Sequence, residues 1–285
     1  MGPAPKLVRM ARCFVGVSGW RYPRWRGDFY PRGLRQREEL QYLSRTMNSV
    51  EINGSFYSLQ RPSSYANWAA QTPESFVFAV KGGRYVTHMK QLLDVEAPLA
   101  NFFASGVLAL GQRMGPLLWQ LPARLAFDAD RLARFFSLLP RTLAEMARLA
   151  ARHDDKLSSD RVLLEVAADA DPAQPVRHAL EPRHPSFEPA EARALLAEHG
   201  ICMVIADSAG KWPMMPDATS DFRYVRLHGE QELYTSAYTD ESLDRWAAQC
   251  REWLAEGLDT HVYFDNDAAG HAPHDALRLW RRLQA

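Results

Sequence analysis

Six side chains that can move a proton or hold a metal ion stand at the ends of short apolar runs: Glu51, Lys81, Glu181, Asp207, His228 and Asp265. The runs are rich in β-branched and aromatic residues and read as strands. Carboxylates and an imidazole in such places can serve as general base and general acid, and a lysine can hold a phosphate or carry a proton. Asn53, Gln120, Arg183, His184, Arg226 and Asn266 share these strand ends, and Tyr57 and His88 follow in the loops. They are candidates for holding substrate. Taken singly, any of these groups reads equally well as a solvated loop residue or one half of an ion pair. Taken together they point to function, because burying charge without purpose is costly.

The loop after the first run, Gly19-Trp20-Arg21-Tyr22-Pro23-Arg24-Trp25-Arg26-Gly27, alternates guanidinium groups with rings. Arginine grips phosphate or carboxylate with paired donors, and indole or phenol rings stack on bases and sugars. Trp20, Arg21, Tyr22 and Arg24 are therefore candidate substrate contacts, unless the rings only pack as a lid. The expected partner is an anionic small molecule or a nucleic-acid segment. The acidic and histidine candidates are of the right types for a divalent metal, but their scattered spacing gives no support, and whether a metal is used stays open. His271 and His274 read as a solvated loop. No phosphate-binding glycine loop of the nucleotide-binding types and no serine nucleophile elbow is present.

The elements that must position these groups follow from the pattern. Eight apolar runs, at 13–18, 49–53, 76–81, 117–121, 178–183, 201–207, 222–228 and 261–265, alternate with segments of helical period. Pro62 suits a first helical turn ahead of Tyr65 and Trp68. Thr239 or Asp240 can cap a helix that Gly257 stops, and Pro273 opens a last helix with Leu277, Trp280 and Leu283. Eight such repeats predict a single-domain TIM (β/α)8 barrel over 1–285, in which chemistry sits at the C-terminal ends of the strands. The stretch 141–176 exceeds the repeat and reads as an insertion before the fifth strand, with room for a short strand at 161–167.

Composition sets the outer bounds. The chain has 285 residues, 47% hydrophobic and 24% charged, with 34 basic and 34 acidic side chains, which excludes wholesale disorder. Residues 1–45 carry a net +7 and the remainder −7, so one end is basic. No apolar run is long enough for a membrane helix. Cys13, Cys202 and Cys250 lie far apart, and no secretory h-region precedes them. A reducing cytoplasm is the expected location, and nothing demands an oligomer beyond a monomer.

Several motifs then suggest kinship. Val15-Gly16-Val17-Ser18-Gly19-Trp20 with Phe29-Tyr30-Pro31, Val50-Glu51-Ile52-Asn53 with Phe56-Tyr57, and Lys81 followed by Thr87-His88 come first. Glu181-Pro182-Arg183-His184-Pro185-Ser186, Ala206-Asp207-Ser208, Tyr224-Val225-Arg226-Leu227-His228-Gly229 and Tyr263-Phe264-Asp265-Asn266 follow in order. Together the chain resembles the YecE-like domain-of-unknown-function family, number seventy-two in its series. The resemblance implies a TIM barrel and no established activity. This chain departs from the pattern in carrying Phe187 where the family has Trp, which keeps a ring for stacking, and in its longer 141–176 segment. The residues themselves support an enzyme, a hydrolase or lyase acting on a phosphate-containing substrate. There Arg21, Arg24 and Lys81 would hold phosphate, Glu181 or Asp207 would act as base, and His228 as acid. The alternatives are a nucleotide- or nucleic-acid-binding module without turnover and a sugar isomerase.

Overall fold

The computed structural model describes residues 10–284. Lys6 and Arg9, part of the basic end, lie outside the described residues. Nine strand segments are present among those described: β1 (Cys13–Val17), β2 (Ser49–Ile52), β3 (Val77–Lys81), β4 (Met114–Gln120), β5 (His178–Glu181), β6 (Ile201–Met203), β7 (Ile205–Asp207), β8 (Phe222–Leu227) and β9 (Asp259–Phe264). The main helices are α1 (Glu39–Thr46), α2 (Gly54–Tyr57), α3 (Pro62–Ala70), α4 (Glu96–Ala104), α5 (Ala129–Ser137), α6 (Leu143–Ala150), α7 (Ala190–Glu198), α8 (Asp240–Ala255) and α9 (Ala272–Gln284). None is long and apolar enough to cross a membrane.

All strand pairings are parallel, in two sheets ordered β1-β9-β8-β7 and β2-β3-β4-β5-β6. Where a single ring of eight strands was expected, the pairings give two parallel sheets of four and five strands. The sixth expected run is divided at Val204. Its first half pairs with β5 and its second with β8, while the Val204 N–H donates to the Leu180 carbonyl at 2.9 Å. At the other junction a side chain replaces the ladder. The Asn48 amide accepts from the Val15 N–H and donates to the Cys13 carbonyl, both at 2.8 Å, and one bridge joins Ser18 to Glu51. Gly16 permits this approach, since a Cβ there would meet the Ser49 carbonyl oxygen at 2.1 Å.

Period-two alternation sorts the strand side chains into two cores. Val15, Val50, Phe78, Val80, Leu117, Trp119, Val225, Leu227 and Val262 belong to the large core that includes the helices' buried faces. Ala79, Leu118, Ala179, Cys202, Ala206, Phe222, Tyr224 and Tyr263 form a second, smaller cluster drawn from both sheets. Alanines at three positions leave room for the two tyrosines, and Tyr263 closes against Ser49 with a 2.7 Å hydrogen bond. One step further along each strand, the same face turns polar.

The predicted helix signals are seated as expected. Pro62 opens α3, the Thr239 hydroxyl accepts from the Ser242 N–H to cap α8, and Gly257 follows it with φ +84°. In α9 the buried centre is Ala276 and Leu279, with Leu277, Trp280 and Leu283 only partly buried. The segment 141–176 contains α6 and is tied off where Thr142 and Pro175 form an antiparallel bridge. The expected strand at 161–167 is absent. Only the Leu163 N–H bonds to a neighbouring element, at the Ala104 carbonyl, so the apolar run packs as irregular chain.

Candidate active site at the strand ends

The polar layer lies two residues beyond the inner cluster on strand after strand: Ala79 leads to Lys81, Leu118 to Gln120, Ala179 to Glu181, Tyr224 to Arg226 and Tyr263 to Asp265. Its centre is Arg226, fully buried. Nη2 lies 2.8 Å from Glu51 Oε1 and 2.9 Å from Asp265 Oδ2, Nε lies 3.1 Å from Glu51 Oε2, and Nη1 lies 2.7 Å from Glu181 Oε2. Each carboxylate is held further. Glu51 accepts from Ser18 Oγ at 2.9 Å and from the Tyr224 hydroxyl at 2.6 Å. Glu181 accepts from Arg183 Nε at 2.9 Å and Gln120 Nε2 at 3.2 Å.

Burial alone would favour the neutral forms of Glu181 and Asp265, but the surrounding cations outweigh it. Arg183 and Arg226 hold Glu181 well below the usual carboxylate range, and Arg226 does the same for Asp265. Arg226 gains in return: burial opposes its charge, and Glu51, Glu181 and Asp265 more than restore it. Asp265 keeps 19% of its side chain exposed, and its Oδ1 has no hydrogen-bond partner among the described residues. His228 is sealed beside it. Arg226 can only donate, so in its Nη1 contact of 3.4 Å with His228 the ring Nε2 stands as the acceptor. The ring Nδ1 lies 3.1 Å from Asp265 Oδ2, though without hydrogen-bond alignment.

Lys81 stands apart. It is 8% exposed, its Nζ lies 4.4 Å from the centre of the Phe56 ring, and it makes no hydrogen bond or ion pair among the described residues. Burial, and then the charge of Arg226, lower its pKa to about 8 against the pull of Glu51, Asp265 and Glu181. His88 meets the same Phe56 ring edge-on at 5.1 Å and bonds Thr87 Oγ1 through Nδ1 at 2.9 Å. Burial, reinforced by Lys81, Arg183 and Arg124, lowers it to about 4, so it is neutral at physiological pH.

The remaining candidates divide between two openings. Trp20, Arg21, Tyr22, Asn53 and Tyr57 line one groove of about 280 Å³ beside β1 and β2, where Trp20 rests edge-on against Trp68. Arg21 and Arg24 are exposed and make no ion pair among the described residues. Arg183 and Asp207 line a second opening of about 590 Å³ with Lys211 and Trp212, and the Arg183 guanidinium stacks over Trp212 at 4.0 Å. Asp207 accepts from Tyr238 at 3.1 Å instead of joining the Arg226 cluster, and burial raises its pKa.

His184 and Asn266 do structural work. His184 Nδ1 accepts from the Ser186 N–H at 3.2 Å and caps a short turn. The Asn266 amide ties the Ser236 carbonyl to Asp275 in the first turn of α9. Phe187 offers no exposed ring for stacking, being buried edge-on against Phe127.

Sequence reasoning missed Tyr224, although its place two residues before Arg226 on the same strand face is a readable signal. It also missed Trp212, in the loop before β8, and Tyr234, in the loop after it, which pack on His228 from segments with no such periodicity. Among the described residues no group of three or more His, Cys, Asp or Glu side chains is disposed to hold a metal. Arg226 occupies the carboxylate oxygens that would be needed.

A parallel α/β protein with a neutralised, buried charge cluster at its strand ends is the class these features define. The chain belongs to the family described as protein of unknown function DUF72, which matches residues 14–285. It is 23% identical over 298 residues to UPF0759 protein YunF of Bacillus subtilis, covering 95% of this chain and 94% of that protein. It is 29% identical over 128 residues to UPF0759 protein YecE of Escherichia coli, covering 45% of this chain and 44% of YecE, so that match spans under half of the relative's length. A DUF72 family protein from Thermotoga maritima superposes with a TM-score of 0.75 at 25% identity, over 96% of this chain and 100% of that one. One from Enterococcus faecalis gives 0.72 at 14% identity, over 96% of each.

Proposed function

We propose that the protein is an enzyme that carries out lyase-type proton-transfer chemistry on a small, phosphate-containing substrate at the strand ends. We also propose that its two sheets are arcs of one (β/α)8 barrel. The barrel reading is supported by the inner cluster drawn from both sheets, by the run 201–207 shared between them, and by the Ser18–Glu51 bridge at the other junction. The observation that carries the catalytic reading is Lys81: an unpaired, nearly buried amine close to neutrality, set beside Glu181 and Asp265, which Arg226 helps keep ionised. A group whose pKa lies near the working pH is the effective proton carrier. Glu181, sealed and stabilised as the anion, is a poor base for activating water, which favours a lyase over a hydrolase. Arg21 and Arg24, exposed and without ion pairs, suit the phosphate.

The test is an NMR screen of sugar phosphates in deuterated buffer. Exchange of a carbon-bound proton, or cleavage, should occur with at least one compound and disappear in Lys81→Met. A complete absence of exchange and cleavage contradicts the reading. A second reading, a nucleotide-binding module, is favoured by Tyr57, 68% exposed in the groove beside Arg21. It predicts salt-sensitive nucleotide binding that Lys81→Met leaves intact.

A further inference from the structure

We propose that Lys81 is a nucleophile: its amine condenses with the aldehyde or ketone carbonyl of the substrate to form an imine, which makes the substrate class a phosphorylated carbonyl compound. This rests on the reading above and deepens it. The placement of the amine is the first argument. Every other charged group in the centre of the cluster is spent on a partner, with Arg226 binding Glu51, Glu181 and Asp265 and Arg183 binding Glu181. Among the described residues Lys81 is left with only the face of Phe56, and its Nζ, absent from the fully sealed polar atoms that lack a partner, keeps a little exposure at 8% for the residue.

Residue choice is the second argument. Only five of the chain's 34 basic side chains are lysine, namely Lys6, Lys81, Lys90, Lys156 and Lys211. Arginine meets the need for positive charge almost everywhere, including at the cluster's centre. A lysine at the strand end supplies what arginine cannot, an amine able to lose its proton and attack carbon. Facing it are Arg226 on β8, Glu51 on β2, Glu181 on β5, Asp265 after β9 and His88 in its own loop. Their balance lets the free amine form near neutral pH.

The step is redox-neutral. The nitrogen lone pair forms a C–N bond, the carbonyl π pair moves to oxygen and takes a proton, and the nitrogen gives up a proton. The resulting hydroxyl then takes a second proton and leaves as water. The cationic C=N bond accepts the electron pair of an adjacent C–H or C–C bond when that bond breaks, as lyase chemistry requires.

Trapping by hydride tests this. The intact protein is incubated at pH 7.5 with dihydroxyacetone phosphate, and separately with acetaldehyde, in the presence of cyanoborohydride, and its peptides are examined by mass spectrometry. A stable adduct, heavier than the peptide by the carbonyl compound less one oxygen (two hydrogens gained, one water lost), is expected on Lys81 at roughly tenfold or more the level on Lys90, Lys156 or Lys211. It should be lost in Lys81→Arg, whose fold is checked by circular dichroism. No preference for Lys81 with either compound overturns the imine. If sugar-phosphate exchange persists in that case, Lys81 acts as a base and the broader reading stands. If exchange is also absent, both fall.

Discussion

Arg226 and Lys81 occupy the same polar layer and have opposite effects on stability. Arg226 is surrounded by Glu51, Glu181 and Asp265, and removing it strands three buried carboxylates. Arg226→Met should cost about 3–5 kcal/mol in urea unfolding. Glu181 and Asp265 have folded pKa values below their unfolded ones. Their stabilisation is therefore present above about pH 4 and is lost as pH falls through the depressed values. Lys81 has the reverse sign. Its folded pKa of about 8 lies below the ordinary lysine value of 10.5, so the unfolded chain binds that proton more tightly and the native state is penalised at neutral pH. Lys81→Met should raise stability at pH 7 by on the order of 3 kcal/mol at most, and the gain should shrink as pH rises from about 8 toward 10.5. An unchanged or lowered midpoint at pH 7 contradicts a depressed lysine.

Among the elements, what alternation governs was legible in the sequence. All eight expected runs fall on strands of the structure, and residues at their ends reach one polar layer because successive inward positions are two apart. Lys81, Glu51, Glu181, Arg226, His228 and Asp265 were readable for that reason. The junctions between sheets were not, because they depend on single residues with no period. Asn48 substitutes its amide for a ladder, and Val204 switches partners mid-run. His184 and Asn266 share the strand-end signature of the site but are consumed by local bonds that only the folded chain displays. Gly16→Ala tests the β1–β2 junction, since the new methyl would collide with the Ser49 backbone rather than with a side chain that could turn away. It should cost at least about 1–3 kcal/mol and, by moving Ser18 from Glu51, lower activity as well. A variant with native thermal stability would show that the strands are not so closely apposed.

For the molecule as a whole, charge is arranged rather than accumulated. The totals cancel, yet Arg21 and Arg24 are exposed and unpaired among the described residues, while at the strand ends carboxylates and guanidinium groups pair with one another. On the proposed reading a phosphate is attracted by these arginines while the Lys81 amine stays free to titrate. Exposed charges are screened within about 8–10 Å at physiological ionic strength, so KM for a phosphorylated substrate should rise with salt. In Arg21→Ala/Arg24→Ala, KM should rise by roughly tenfold with kcat kept, and its salt dependence should flatten. Unchanged KM would place the phosphate elsewhere. The account turns on Lys81 being uncharged for a substantial fraction of the time near neutral pH. Competitive acetylation of the native protein across pH 6–11, read lysine by lysine in the mass spectrometer, measures this directly. A midpoint for Lys81 near 8, well below that of the exposed Lys156, is the predicted result. A midpoint near the ordinary lysine value of about 10.4 would contradict it.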